Sequence, residues 1–326
     1  MKKTAPVRTP AFTASLLPLI ALTTLLTSAE PSRSAPFVPG EILVGEFGSS
    51  SVQRYSAAGV LLQTFTGTGT NWEGASLTPD GNLVTAYSTG NASPIGINIF
   101  APGGTQIMSF VATGNSFRGD VSVFANGTIA LNNQGNNTVQ FWSQAGILLK
   151  TVSLPGISDP FGSTVGSDGI LYVADFLSNH LARVSAGGVS LGNVNLSFSP
   201  GDLVMNPQDG TLWVSGYSNG LVEHITTNGT VLGSFATGLV LPKFEGIGLA
   251  PDGNSLYVTS QNSTVVKHFD LSGNQLGSFA LSNPSTPAFL TVVPSGVGLG
   301  TPEPGSAALL VGGCALLAAR RGRRTV

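Results

Sequence analysis

An all-β chain built from repeated four-stranded units is what this 326-residue sequence predicts, on three observations. Polar-glycine turns recur along its middle at a near-constant period. Within each period the same order of short alternating apolar segments returns. The composition is rich in Gly (43 residues) and Pro (20 residues) and only 9% charged, which favours many short turns between strands over long helices.

The turns are "PG" ending at Gly40, "PDG" at Gly81, "ANG" at Gly127, "SDG" at Gly169, "QDG" at Gly210, "PDG" at Gly253 and "PSG" at Gly296. Successive glycines stand 41, 46, 42, 41, 43 and 43 residues apart. Six periods of that length match four-stranded propeller blades, whereas solenoid repeats of similar length need a helical periodicity that is missing here.

Each element of the repeat has its own signal. After the turn comes a strand such as "EILVGEF", "NLVTAYS" or "ILYVADF", alternating with period two and rich in β-branched and aromatic residues. A second strand follows a polar loop, as in "SVQRYS", "TVQFWS" or "VVKHFD". A glycine turn leads to a third, as in "VLLQTF", "ILLKTV" or "TVLGSF", and the unit closes on a fourth, as in "GASLTPDG" or "GIGLAPDG". The phase of the repeat predicts how the ring closes. The chain enters on what is the second strand of a blade, "EILVGEF", and leaves on an innermost-type strand, "FLTVVPSG", from Phe289 to Gly296. One blade is therefore composite, which removes exposed sheet edges at the closure. The sequence reading is thus an all-β, six-bladed β-propeller with a composite closing blade over residues 40–296.

"DGILYVADFLSNHLARV", Asp168 to Val184, resembles the strand, "AD", loop, "N", strand pattern of NHL-type six-bladed propellers. Other units keep the spacing and lose the Asp. The resemblance spans residues 40–296 as architecture and implies no activity, because propellers host unrelated functions.

The two ends read as targeting segments. "MKK" and Arg8 form a positive region, "SLLPLIALTTLL" an apolar one, and "TSA" ending at Ala29 a small-residue cleavage site, so residues 1–29 are predicted to be a signal peptide and 30–39 a Pro-rich linker. At the other end, Pro302-Glu303-Pro304 precedes the 15-residue apolar run Gly305 to Ala319 and then Arg320, Arg321, Arg323 and Arg324. As a helix that run spans roughly 22 Å against a bilayer core of about 30 Å, a marginal crossing. Residues 297–326 resemble the PEP-CTERM sorting signal of Gram-negative exported proteins. The resemblance implies an exosortase-type membrane protease as partner, with transient membrane contact through the tail. The chain is then membrane-anchored before C-terminal processing, and at the cell envelope, at the surface or outside the cell after it. The arginines fit the positive-inside bias.

Charge narrows the function classes. Residues 40–296 hold six basic and 14 acidic residues, a net charge of −8, so nonspecific nucleic-acid binding is not expected. The single cysteine, Cys314, lies in the apolar run, leaving no thiol chemistry for the propeller. No P-loop, nucleophile elbow or HExxH motif is present. Asp80, Asp168, Asp209 and Asp252 sit in the turns, where short polar side chains bond the backbone. His224 and His268 share a repeat position with Tyr55 and Trp142 and are expected to pack between blades.

Glu73, Asp120, Asp159, Asp202 and Glu245 form a different set, each at or near the start of an innermost strand. In a propeller those starts converge on one mouth of the central channel, and several carboxylate oxygens suit Ca²⁺. Glu73, Asp202 and Glu245 lie eight residues before their repeat glycine, Asp120 seven and Asp159 ten, and the sixth unit offers Ala288. The first three are the candidate metal ligands. Trp72, Phe117, Phe161 and Phe244 neighbour these acids and are candidates for an aromatic platform under a saccharide. Two function classes follow. One is an exported surface or matrix protein binding a polysaccharide or surface protein without a cofactor. The other is a Ca²⁺-dependent hydrolase of the lactonase or phosphoesterase kind.

Overall fold

A computed structural model describes residues 36–90, 93–116, 119–239, 244–282 and 286–296. The expected signal peptide, most of the linker and the Pro302 to Arg324 sorting motif lie outside the described residues. Twenty-four strands are present among the described residues.

The first strands are β1 (Ile42–Phe47), β2 (Ser51–Tyr55) and β3 (Leu61–Thr66), followed by β4 (Thr70–Leu77), β5 (Leu83–Ser88), β6 (Ser93–Phe100) and β7 (Gln106–Ser116). The third unit holds β8 (Val121–Val123), β9 (Ile129–Asn133), β10 (Thr138–Trp142) and β11 (Leu148–Ser153). The fourth holds β12 (Pro160–Val165), β13 (Ile170–Asp175), β14 (His180–Ser185) and β15 (Ser190–Asn195). The fifth holds β16 (Pro200–Met205), β17 (Leu212–Gly216), β18 (Leu221–Ile225) and β19 (Val231–Ala236). The last strands are β20 (Phe244–Leu249), β21 (Ser255–Ser260), β22 (Val265–Asp270), β23 (Gln275–Ala280) and β24 (Thr286–Val292).

Consecutive strands pair antiparallel into four-stranded sheets, and a single bridge, Glu46 to Trp72, links the first unit to the second. β24 lies antiparallel to β1, pairing Ile42 with Val292 and Val44 with Leu290. The innermost strands touch in cyclic order: β24 meets β4, β4 meets β8, β8 meets β12, β12 meets β16, β16 meets β20, and β20 returns to β24.

The turns show why glycine recurs. Asp168, Asp209 and Asp252 each accept a hydrogen bond from the amide two residues on, at 3.0, 2.9 and 3.0 Å. The residue between is Gly169, Gly210 or Gly253, at φ of 75°, 72° and 72°, a left-handed conformation that a Cβ disfavours. Apolar faces of neighbouring sheets then pack on each other. Phe141 and Val139 of β10 meet Leu171 and Val173 of β13, and Tyr172 and Leu181 meet Leu203, Leu212 and Val214. His224 and His268 pack within their own sheets, each against its cross-strand partner. They stack on Trp213 and Tyr257 at 4.1 Å, their Nε2 atoms bond Thr211 and Ser255, and burial holds both below the usual histidine pKa. The leading segment is fastened by a buried pair: Arg54 donates to Glu41 through Nε at 2.8 Å and lies 4.5 Å over the Phe37 ring.

Candidate functional site

An innermost strand has a strand partner on one side only, so the amides on its other edge need acceptors from elsewhere. Two aspartates supply them. Asp120, just before β8, accepts through Oδ2 from the Ser163 amide at 2.7 Å and the Ser163 hydroxyl at 2.9 Å. Asp202, in β16, accepts through Oδ2 from the Ile247 amide at 3.3 Å and through Oδ1 from the Leu203 amide at 2.8 Å. Each also reaches back onto a glycine of the preceding unit. A Cβ on Gly74 would lie 2.3 Å from Asp120 Oδ1, and one on Gly162 would lie 2.6 Å from Asp202 Oδ1. The aspartates therefore tie the innermost strand before them, with its glycine, to the innermost strand after them, through its amide.

These ties lie in the wall of a cavity of about 670 Å³ that opens where the innermost strands end and the glycine turns begin. Its hydroxyl groups include those of Ser76, Ser122, Thr164 and Thr291, and its apolar surface includes Val204 and Phe289. Ser122 and Ser163 share a hydrogen bond at 3.0 Å, which continues the chain from Asp120. Burial pushes the Asp120 carboxyl up to about 7, against the opposing pull of its bonds from Ser163 and Val121. Its protonation thus changes near neutral pH.

The structure distributes the predicted site residues differently. Glu73 is buried in β4, and Asp159 is half-buried ahead of β12, its amide donating to Asp175 at 3.1 Å. The side chains of Glu245 and Phe244 lie outside the described residues, as does Phe117. The shared count of eight residues does not place Glu73, Asp202 and Glu245 at one level. The turn closing on Gly210 has one more residue than its counterparts, its amide bonding Asn206 four residues back where Gly127 bonds Phe124 three back. Asp202 therefore occupies the place of Asp120. Among the described residues no three His, Cys, Asp or Glu side chains come together to hold a metal. The two described aromatics of the predicted platform are buried. Trp72 packs 5.4 Å from Phe100 and donates to the Thr68 carbonyl, while Phe161 lies 5.0 Å from Phe289 and 5.3 Å from Phe176.

Sequence reasoning passed over Asp175, the acid of the "AD" pattern. It is fully buried and accepts from the amides of Ser158, Asp159, Leu177 and Ser178, fixing the loop into β14. It also missed the cavity, because hydroxyls spread over four units carry no local motif.

No protein-family model matches the sequence, and no curated protein matches it. Solved structures do match. A functionally unknown protein from Desulfotomaculum acetoxidans is 17% identical with a TM-score of 0.59, covering 79% of this chain and 87% of its own. A structure from the nidogen/laminin complex is 14% identical with a TM-score of 0.62, covering 78% of this chain and 98% of its own. Virginiamycin B lyase from Staphylococcus aureus is 17% identical with a TM-score of 0.53, covering 67% of this chain and 73% of its own. The fold is a β-propeller. At these identities the likeness extends to fold and no further.

Proposed function

We propose that this protein is an exported six-bladed propeller that acts by binding, not by catalysis, with a neutral, hydroxyl-bearing ligand such as a saccharide segment held in the turn-side cavity. The cyclic contact order of the innermost strands supports six blades. One observation carries the binding reading. The carboxylates of Asp120 and Asp202 are engaged with neighbouring strands, so hydroxyls and apolar side chains dominate the rest of the recognition surface. A cavity of this size lies in the range of ligand pockets. The fold is compatible with such a role, since the neighbours include a member of the nidogen/laminin complex. Calorimetric titration of neutral oligosaccharides should show saturable binding that Thr164→Phe, which fills the cavity, weakens at least tenfold without lowering the melting temperature. Binding that survives Thr164→Phe would move the ligand elsewhere.

A second reading, the Ca²⁺-dependent hydrolase, draws on Asp120 as a carboxyl titrating near neutrality beside a cavity and on the lyase among the neighbours. If Glu73, Asp202 and Glu245 held Ca²⁺, a hundredfold excess over Kd would add about 2.7 kcal/mol of stability. EDTA would then lower the melting temperature, and Glu245→Gln would blunt the response. On the binding reading, the melting curve is the same in EDTA and in millimolar Ca²⁺.

The terminal segments carry the cellular part of the proposal. Export rests on the signal-peptide pattern of residues 1–29, and sorting by an exosortase-type protease, in an exopolysaccharide context, on the order of motifs in residues 297–326. Mass spectrometry of mature protein from its native host should recover no peptide containing Cys314 or Arg320 to Arg324. An intact tail in the mature pool would make it a permanent anchor.

A further inference from the structure

The outermost strand of every unit repeats one feature. β3, β7, β11, β15, β19 and β23 each end a sheet, and each carries an irregularity in its pairing near its start. Leu62, Ile107, Leu149, Leu191, Leu232 and Leu276 lie at these irregularities. Each stands three residues after a left-handed turn glycine and is between 40 and 57% exposed. Tyr55 pairs with Leu61 and Arg54 with Gln63, so Leu62 is left out of the ladder, and Leu149 and Leu232 are left out in the same way. A bulge re-aims a side chain and interrupts the edge. It discourages strand addition and turns an aliphatic group outward. In two alternate units the exposure runs over three consecutive residues, Val60 to Leu62 and Ile147 to Leu149, and in the next alternate unit over Val231 and Leu232. Runs of exposed aliphatics on edge strands call for a partner.

We infer that this rim is a contact surface between copies of the chain, made by apolar packing of the bulge clusters. Charge argues for a second copy. Residues 40–296 carry a net charge of −8, yet the six outermost strands contain one charged residue, Lys150. Two copies meeting elsewhere bring like charges together, and rim to rim they do not. Area argues for the form of the assembly. Three partly exposed aliphatics fall well short of the roughly 800 Å² per partner of a stable interface, so one contact is weak. Several clusters around one rim let each copy hold more than one neighbour, which gives open, concentration-dependent assembly in place of a closed dimer. The inference is independent of the ligand and export readings above.

Sedimentation of the full chain over a concentration series tests it, with residues outside the propeller identical in every sample. The wild-type mass should climb above 33.2 kDa with concentration, and more steeply at high salt, because salt screens the repulsion between acidic copies. Leu62→Lys, Leu149→Lys and Leu232→Lys combined should weaken association at least tenfold while leaving the melting temperature unchanged, and the same three positions changed to Ser should do likewise. A wild type that stays monomeric throughout, association undiminished in the Ser variant, or association that salt dissolves would each overturn the rim contact.

Discussion

Deleting residues 287–296 is expected to abolish cooperative folding of the propeller. The deletion takes most of β24 and with it Phe289, Leu290, Val292 and Val293, all buried. At about 1.5–3 kcal/mol for each large side chain, the lost burial is roughly 6–12 kcal/mol. That is comparable to the whole stability of a typical domain, about 5–15 kcal/mol. The cost does not stop at burial. β1 loses the partner of Ile42, Leu43 and Val44, Glu41 loses the Val293 amide that donates to its carbonyl at 2.8 Å, and β20 and β4 each lose a neighbour in the ring. Calorimetry should show one sharp transition for the intact chain and a broad or absent one for the deletion. Phe289→Ala, a smaller insult at the same strand, should cost about 3–5 kcal/mol and keep the transition sharp. A deletion variant that melts as sharply and at the same temperature would mean that β24 does not close the sheet.

What the sequence reveals and what it hides follow from the range of the interactions. Turn glycines were legible because an aspartate bonding an amide two residues away is a local event, visible in any "DG" pair. The β24 to β1 pairing was legible because the repeat phase leaves one inner strand without its sheet. The Asp120 and Asp202 ties were not, since their partners Ser163 and Ile247 stand 43 and 45 residues away. One extra residue before Gly210 was enough to misalign a count taken from the turns. Asp175 shows a related limit. In the next unit Gly216 stands in its place, and a Cβ there would lie 1.9 Å from Asn219 Oδ1, so a side chain three residues on takes up the space. The loop is preserved while the residue that marks it in sequence is lost.

Asp120→Asn is expected to make the protein more stable at alkaline pH and to remove most of a pH dependence that wild type shows between about pH 4 and pH 7. The carboxyl sits at about 7 in the fold against an ordinary 3.8, chiefly because burial penalises its charge. The folded state therefore holds this proton more tightly than the unfolded chain, and wherever it does, raising the pH lowers stability. The contribution is fully present below about pH 4, falls as pH rises through the folded value, and is gone above about pH 8. Wild type should therefore lose stability steadily across that window, and the variant should not. Asn keeps an acceptor for the Ser163 amide and cannot ionise, so it avoids the charge in the cavity wall. Its amide group must, however, face the Val121 amide that the carboxylate accepts, which costs something at every pH. The variant should thus be no better than wild type at pH 4 and better than it at pH 8, and the two melting-temperature profiles should cross between. Parallel profiles would show that Asp120 ionises in the fold as easily as in the unfolded chain, and the tie to Ser163 would then have to be strong enough to hold a full charge in the cavity wall.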